Sequence, residues 1–250
     1  MKTRKKKLLV TVDWDYHIPE KIEWDMGHRE AAFFLTVIWG LRGQLIDQMK
    51  TTGEEIDFWD KLHSKLNFKV DSVVVTDSHG SVIDLATKFD DVLLFDAHHD
   101  CWKIVDFSLK SVQCHDWGTA WAVSGMRNKM WWVCPDWQDK SLIIDGVDKM
   151  SEENLVTLSF AEFMKKDWSD YEVTACHICR SGCWTPPWLD EEFQNFVNKS
   201  NFGHVCPDSA PWDGWLPRWS EGDAEAAKKM YQDMRTMTPT AKRICNDNGS

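Results

Sequence analysis

The stretch "LLFDAHHD" sets Asp96, His98 and Asp100 at alternate positions behind an apolar run. Alternate residues leaving a β-strand point the same way. Two carboxylates and one imidazole on one side repel anions and suit a divalent cation, and the mixed oxygen and nitrogen donors fit Mn²⁺, Fe²⁺ or Zn²⁺ better than Ca²⁺. His99 would face the other way. A second apolar run, "VVVTDSHG", ends in Asp77 and His79, and a third, "LLVTVDWDYH", ends in Asp13 and Asp15, again alternate. Asp13, Asp15, His79, Asp96, His98 and Asp100 together approach the ligand number of a two-metal site, in which some carboxylates bridge. Two cations close together lower the pKa of a shared water, so hydroxide becomes available near neutral pH without a nucleophilic side chain. Each cluster alone also reads as a polar strand end with satisfied side chains. Its recurrence at three strand ends carries the functional reading.

Such residues need a frame that gathers them. Strand-like runs ("KLLVTVDWD", "DSVVVTDSH", "DDVLLFDAHHD", "KMWWVCPDW", "KSLIID", "YEVTACHICRS") alternate with helix-like ones ("GHREAAFFLTVIWGLRGQLIDQMK", "EEIDFWDKLHSKL", "WLDEEFQNFVNKS", "GDAEAAKKMYQDMRTM"). Continuous apolar strands alternating with helices predict an α/β fold, three-layered α/β/α, around a buried and mainly parallel sheet. In such sheets ligands bind beyond the carboxyl ends of the strands, which is where the acids and histidines fall. No repeat or low-complexity linker divides the chain, and 250 residues suffice for one large domain over 1–250.

Composition bounds the partners. The formal net charge is −11, so counterion release from nucleic acid is not to be expected, and the field favours a cationic small molecule or peptide. The basic run "KTRKKK" reads as a solvated tail. It is followed too soon by acid to be a secretory leader, and "AAFFLTVIWGL" (31–41) is too short to span a bilayer and reads as a buried helix. No membrane partner is expected. The eight cysteines are scattered, as for buried thiols in a cytoplasmic chain. Most of the sixteen tryptophans are expected in the core, with some lining a groove.

Three motifs resemble a known family. "DAHHD" looks like the Asp-Ala-His-x-Asp motif of the arginase and agmatinase (ureohydrolase) superfamily. "TVDWD" resembles its Ser-x-Asp-x-Asp motif, with Thr11 at the serine position, and "TDSHG" is similar to its Gly-Gly-Asp-His motif, with the glycines absent and one residue between Asp77 and His79. "HDWGTAW" and "WWVCPDW" are similar to a divergent branch that includes peptide arginases, which convert peptidyl arginine to ornithine. The motif order departs, since the Asp-x-Asp strand comes last in arginases and first here; a permuted chain must bring its N-terminal strand into the middle of the sheet. The resemblance implies an arginase-like fold and two divalent ions, Mn²⁺ above all, with Fe²⁺ or Zn²⁺ as alternatives. It implies Asp96 and Asp13 as bridging ligands, His79 and Asp100 completing one site, and His98 and Asp15 the other. His115, in "CHDWG", lies near the position of a proton-shuttling histidine, and also reads as a loop histidine without a role. The implied substrate is a guanidino group, with arginine in a peptide preferred. The carboxylate that would hold the guanidinium has no clear place; Glu54 and Glu55 are candidates by position only.

Other readings compete. "LLVTVDWD" also resembles the first motif of haloacid-dehalogenase-type phosphatases, in which Asp13 would attack phosphorus, Asp15 would act as acid and Mg²⁺ would be required. That leaves "DAHHD" and "DSH" without a role. A further alternative is an arginase scaffold that keeps metal without turnover. "CHICRSGC" (176–183) offers half a zinc site in Cys176 and Cys179, with Cys183 beside them, but no matching second pair, and reads as buried thiols. Arg180 would pair with a surface acid or meet a substrate carboxylate. "PWDGWLPRW" (211–219) reads as a loop pinned by aromatic anchors, with a peptide-binding lip as the alternative.

Overall fold

The computed structural model of the chain describes residues 4–19, 39, 42, 48–102, 112–124, 129–139, 153–207, 226, 229, 232 and 233. The strand expected at "KSLIID", the loop at 211–219, nearly all of the helix expected at 31–41 and most of the last expected helix lie outside the described residues.

Seven parallel strands form one sheet: β1 (Lys6–Asp13), β2 (Ser72–Thr76), β3 (Asp91–Phe95), β4 (Met130–Val133), β5 (Leu155–Leu158), β6 (Tyr171–Cys179) and β7 (His204–Pro207), in the order β5-β4-β3-β1-β6-β2-β7. β1 is central, paired with β3 on one side and β6 on the other. Its apolar run is unbroken because both faces are covered. Leu8, Val10 and Val12 point into one core, with Phe58, Trp59 and Leu62 of α1 (Phe58–Lys65), Phe163 of α4 (Phe160–Lys165), and Phe193, Phe196 and Val197 of α5 (Asp190–Lys199). Leu9 points into the other, with Ile83 and Ala86 of α2 (Ile83–Ala86) and Trp117, Ala120 and Trp121 of α3 (Trp117–Val123). The expected three layers follow.

The crossovers explain where a site can form. The steps β1 to β2, β5 to β6 and β6 to β7 run towards the β7 edge through α1, α4 and α5 on one face. The steps β2 to β3 and β3 to β4 run the other way through α2 and α3 on the opposite face. One handedness of crossover requires this division. The chain therefore leaves β1 and β3 in opposite directions, and a crevice opens between their carboxyl ends.

β6 carries one irregularity. Leu8 of β1 pairs with Val173 and Leu9 with Ala175, so Thr174 is an extra residue, a β-bulge. Beyond it, Cys176 and Ile178 face the first core, and His177 lies beside Thr11 on the opposite face.

The strands and helices expected at the described positions form, with β5, β7, α2, α3 and α4 in addition. α4 begins in a capping box. The Ser159 hydroxyl accepts from Glu162 N at 3.2 Å and Ser159 N donates to Glu162 Oε2 at 2.7 Å. Among the described residues no helix is long and apolar enough to cross a membrane. Cys101, Cys114, Cys134, Cys176, Cys179 and Cys183 are buried thiols.

Candidate metal centre

β1 ends at Asp13, and the chain curls at once into a 3-10 turn, Trp14–His17. Trp14 packs its ring on Phe193 and Phe196, and His17 lies against Phe58 and Phe196. With these rings drawn into the first core, Asp15 turns back over β3: Ala97 N donates to its Oδ1 at 3.4 Å, and His98 Nδ1 lies 3.0 Å from its Oδ2. The expectation that Asp13 and Asp15 alternate along one strand is thus replaced by a strand end followed by a tight turn.

β2 delivers His79 through the 3-10 turn His79–Val82, on the face that carries α2. Its Nδ1 lies 3.1 Å from Asp13 Oδ2, 3.0 Å from Asp96 Oδ2 and 2.9 Å from Asp100 Oδ2. None of these three contacts is aligned as a hydrogen bond; His79 Nδ1, Asp96 Oδ2 and Asp13 Oδ1 are buried polar atoms without a hydrogen-bond partner among the described residues. One nitrogen and three carboxylate oxygens crowd around a common centre.

The ligand atoms fall into two groups, each gathered within 4.8 Å: Asp13, His79, Asp96 and Asp100, and Asp15, Asp96 and His98. Asp96 belongs to both. It presents Oδ2 to His79 and Oδ1 to His98, whose Nδ1 is 3.6 Å away. The backbone N–H of His98 donates to the same Oδ1 at 2.7 Å. Asp13, expected to bridge as well, joins the first group only.

Asp100 is held by elements that the motif reading left without a role. The Trp117 indole donates to Asp100 Oδ2 at 2.7 Å, and Gly118 N donates to the Asp100 carbonyl at 2.8 Å. Asp100 has φ 51°, in the left-handed region that a non-glycine residue rarely adopts. A Cβ at Gly118 would sit 2.8 Å from the Asp100 carbonyl oxygen and 2.6 Å from Cys101 Sγ. The "DWG" segment thus shapes the ligand loop.

Below the first group lies a polar floor. Thr11 Oγ1 is 2.8 Å from His79 Nε2 and 2.8 Å from His177 Nδ1, and His177 Nε2 is 2.9 Å from Thr76 Oγ1. Sequence reasoning placed His177 with the cysteines and gave Thr11 no contact. The available signal was the strand alternation of Thr11 with Asp13.

Burial and mutual repulsion of the carboxylates set the electrostatics of the site. Burial, then the Asp15 carboxylate, pushes Asp13 up to about 7. Burial, then Asp96, does the same to Asp100. Asp96 is raised by burial and by Asp15 and Asp13. Burial works against charging His79, but Asp100, Asp13 and Asp96 around its ring outweigh it and raise its pKa well above the ordinary value. Buried carboxylates at such spacing are costly unless a cation is among them.

The remaining candidates lie elsewhere. His99 is buried and turned away, its Nδ1 accepting from Cys101 N at 2.8 Å. His115 sits in the turn that leads into α3, two residues before Trp117, and is in neither ligand group. Arg180 Nε donates to Asp77 Oδ1 at 2.8 Å and its Nη1 lies 3.4 Å from Asp190 Oδ2; Arg180 and Asp190 are buried and Asp77 is partly buried, so neither acid is a surface one. Asp77 is thereby spent on tying β2 to β6. No group of described residues suited to a metal includes a cysteine. Glu54 and Glu55 begin a 3-10 turn before α1 and are in neither group.

The fold and cluster define an α/β protein with a buried Asp/His centre, at the switch point of a parallel sheet, that could hold a metal ion. No protein-family model, curated protein or solved structure matches the chain.

Proposed function

We propose that the protein is a binuclear-metal hydrolase acting on a guanidino group, with arginine in a peptide as the preferred substrate and ornithine and urea as products. One observation carries the reading: Asp96 offers a separate oxygen to each of two ligand groups. The donor set fits divalent Mn²⁺, with Fe²⁺ or Zn²⁺ as alternatives, and the orphaned Nδ1 of His79 and Oδ2 of Asp96 are atoms that a cation would satisfy. In this reading Asp13, His79, Asp96 and Asp100 hold one ion, and Asp15, Asp96 and His98 the other. Ions so placed lower the pKa of water to near neutrality and stabilise charge that develops on the substrate.

The chain's own groups do the rest. His98, its side chain 22 % exposed where the other ligands are closed off, marks the approach, with Trp184 packed 4.8 Å from its ring. Water adds to the guanidinium carbon, the bond to the ornithine nitrogen breaks, and that nitrogen gains a proton, for which His115 is the proposed carrier. The net charge of −11 favours a cationic substrate. Asp13 is poorly disposed as a phosphatase nucleophile, since its carboxylate is buried and hemmed in by His79, Asp96 and Asp100.

The test is metal analysis with product assay. About two Mn²⁺ per chain, lost together in Asp96→Ala, with urea released from an arginine peptide, is the expected result. A single weak Mg²⁺ with phosphate release would make the chain a phosphatase. Two ions without urea from any guanidino compound would leave a metal-holding scaffold.

A further inference from the structure

We infer that Thr11 and His177 are positioning residues that fix which nitrogen of His79 faces the metal centre; this rests on the proposed metal site. The inference comes from following hydrogens along the floor of the site. The Thr76 hydroxyl donates to the Ser78 carbonyl at 2.8 Å. Its one proton is thereby committed, so its oxygen accepts from His177 Nε2 at 2.9 Å. Both nitrogens of His177 meet hydroxyls and neither meets a carboxylate. The ring is also buried and stacked 5.6 Å from His79. It is therefore the neutral Nε2–H tautomer, and its Nδ1 accepts from Thr11 Oγ1 at 2.8 Å. The Thr11 proton is then committed too, so Thr11 accepts from His79 Nε2 at 2.8 Å.

Every bond in the chain has one direction, set at its far end by a backbone carbonyl. The consequence is that His79 keeps its proton on Nε2 and turns Nδ1 towards Asp13, Asp96 and Asp100. A ligand imidazole whose other nitrogen is held in this way keeps both its tautomer and its ring orientation. Thr11 and His177 reach the ion only through His79.

The experiment measures Mn²⁺ binding by the full chain and three variants. Thr11→Val keeps the shape and removes the relay; Thr11→Ser keeps the relay; His177→Phe removes its middle. Loss of an outer partner of this kind lowers metal affinity about ten- to a hundred-fold. That loss is expected in Thr11→Val and His177→Phe for the four-residue group, with the Asp15–Asp96–His98 group little changed and Thr11→Ser restored to wild type. ¹⁵N spectra of the histidine-labelled, Zn²⁺-loaded chain should place the His79 proton on Nε2 in the wild type and in Thr11→Ser. Equal weakening of both groups, wild-type binding by Thr11→Val, or a proton on Nδ1 would overturn the inference and leave the metal site standing. A wild-type chain that takes up no Mn²⁺ would overturn the metal site and this inference together.

Discussion

At the scale of single residues, Asp96 differs from the other ligands because its two oxygens serve two groups, and its neighbours can be separated from it. Asp15→Asn should remove the ion of the three-residue group and retain the other, so that isothermal titration with Mn²⁺ finds one strong site in place of two. Protons compete with metal for the same atoms. Asp13 and Asp100 hold their protons up to about 7, chiefly through burial. Without an ion, then, the folded chain becomes less favourable as pH climbs from the ordinary carboxylate range towards 7. The increment in Tm on adding Mn²⁺ should be larger at pH 8 than at pH 5; an increment independent of pH would show that no carboxylate is displaced from its proton. All six proposed ligands were legible in the sequence, because strand ends of a parallel sheet gather whatever polar residues they carry. The resemblance also implied Asp96 as the shared ligand and the same division of the others; what it did not give is that Asp13 joins one group only.

At the scale of elements, two short segments shape the site. Gly118 opens α3 where the Asp100 carbonyl comes in, and Gly118→Ala forces a Cβ to within 2.8 Å of that oxygen. Overpacking of this kind costs about 1–3 kcal/mol. The expected outcome is a lower Tm together with weaker Mn²⁺ binding, because the residue displaced is a ligand. The turn Trp14–His17 buries a histidine among aromatic rings, and burial lowers the His17 pKa from 6.5 to about 3. Its folded form is neutral while the unfolded chain takes a proton near 6.5, so this turn contributes stability above that pH and loses it as pH falls towards 3. His17→Phe should therefore flatten the acid limb of stability measured by urea unfolding between pH 6.5 and 4. Neither feature was readable beforehand. "HDWG" gave no sign of its partner seventeen residues back, and the sequence reading gave His17 no role.

At the scale of the whole molecule, the resemblance to arginases, with the motifs in another order, implied a condition on the fold, that the first strand be central. β1 lies between β3 and β6, at the crevice where the crossovers diverge. Strand type and alternation with helices were legible because both faces of the sheet are covered, which leaves continuous apolar runs at β1, β2 and β3. The edge strands β5 and β7 were missed: each is four residues long and, unlike the equally short but wholly apolar β4, contains a polar residue or proline that blurs the pattern.

The extra residue in β6 works like a shift of reading frame. Were Thr174 to pair opposite Leu9 as an ordinary ladder residue, with no bulge, every later side chain would exchange faces. His177 would enter the aromatic layer and Cys176 and Ile178 would line the floor beneath His79. Deleting Thr174 removes the extra residue and leaves Ala175 opposite Leu9 and His177 beside Thr11, so titration should find Mn²⁺ binding retained; its loss would show that the bulge itself shapes the floor. In β6, the bulge rather than composition decides which side of the sheet is polar.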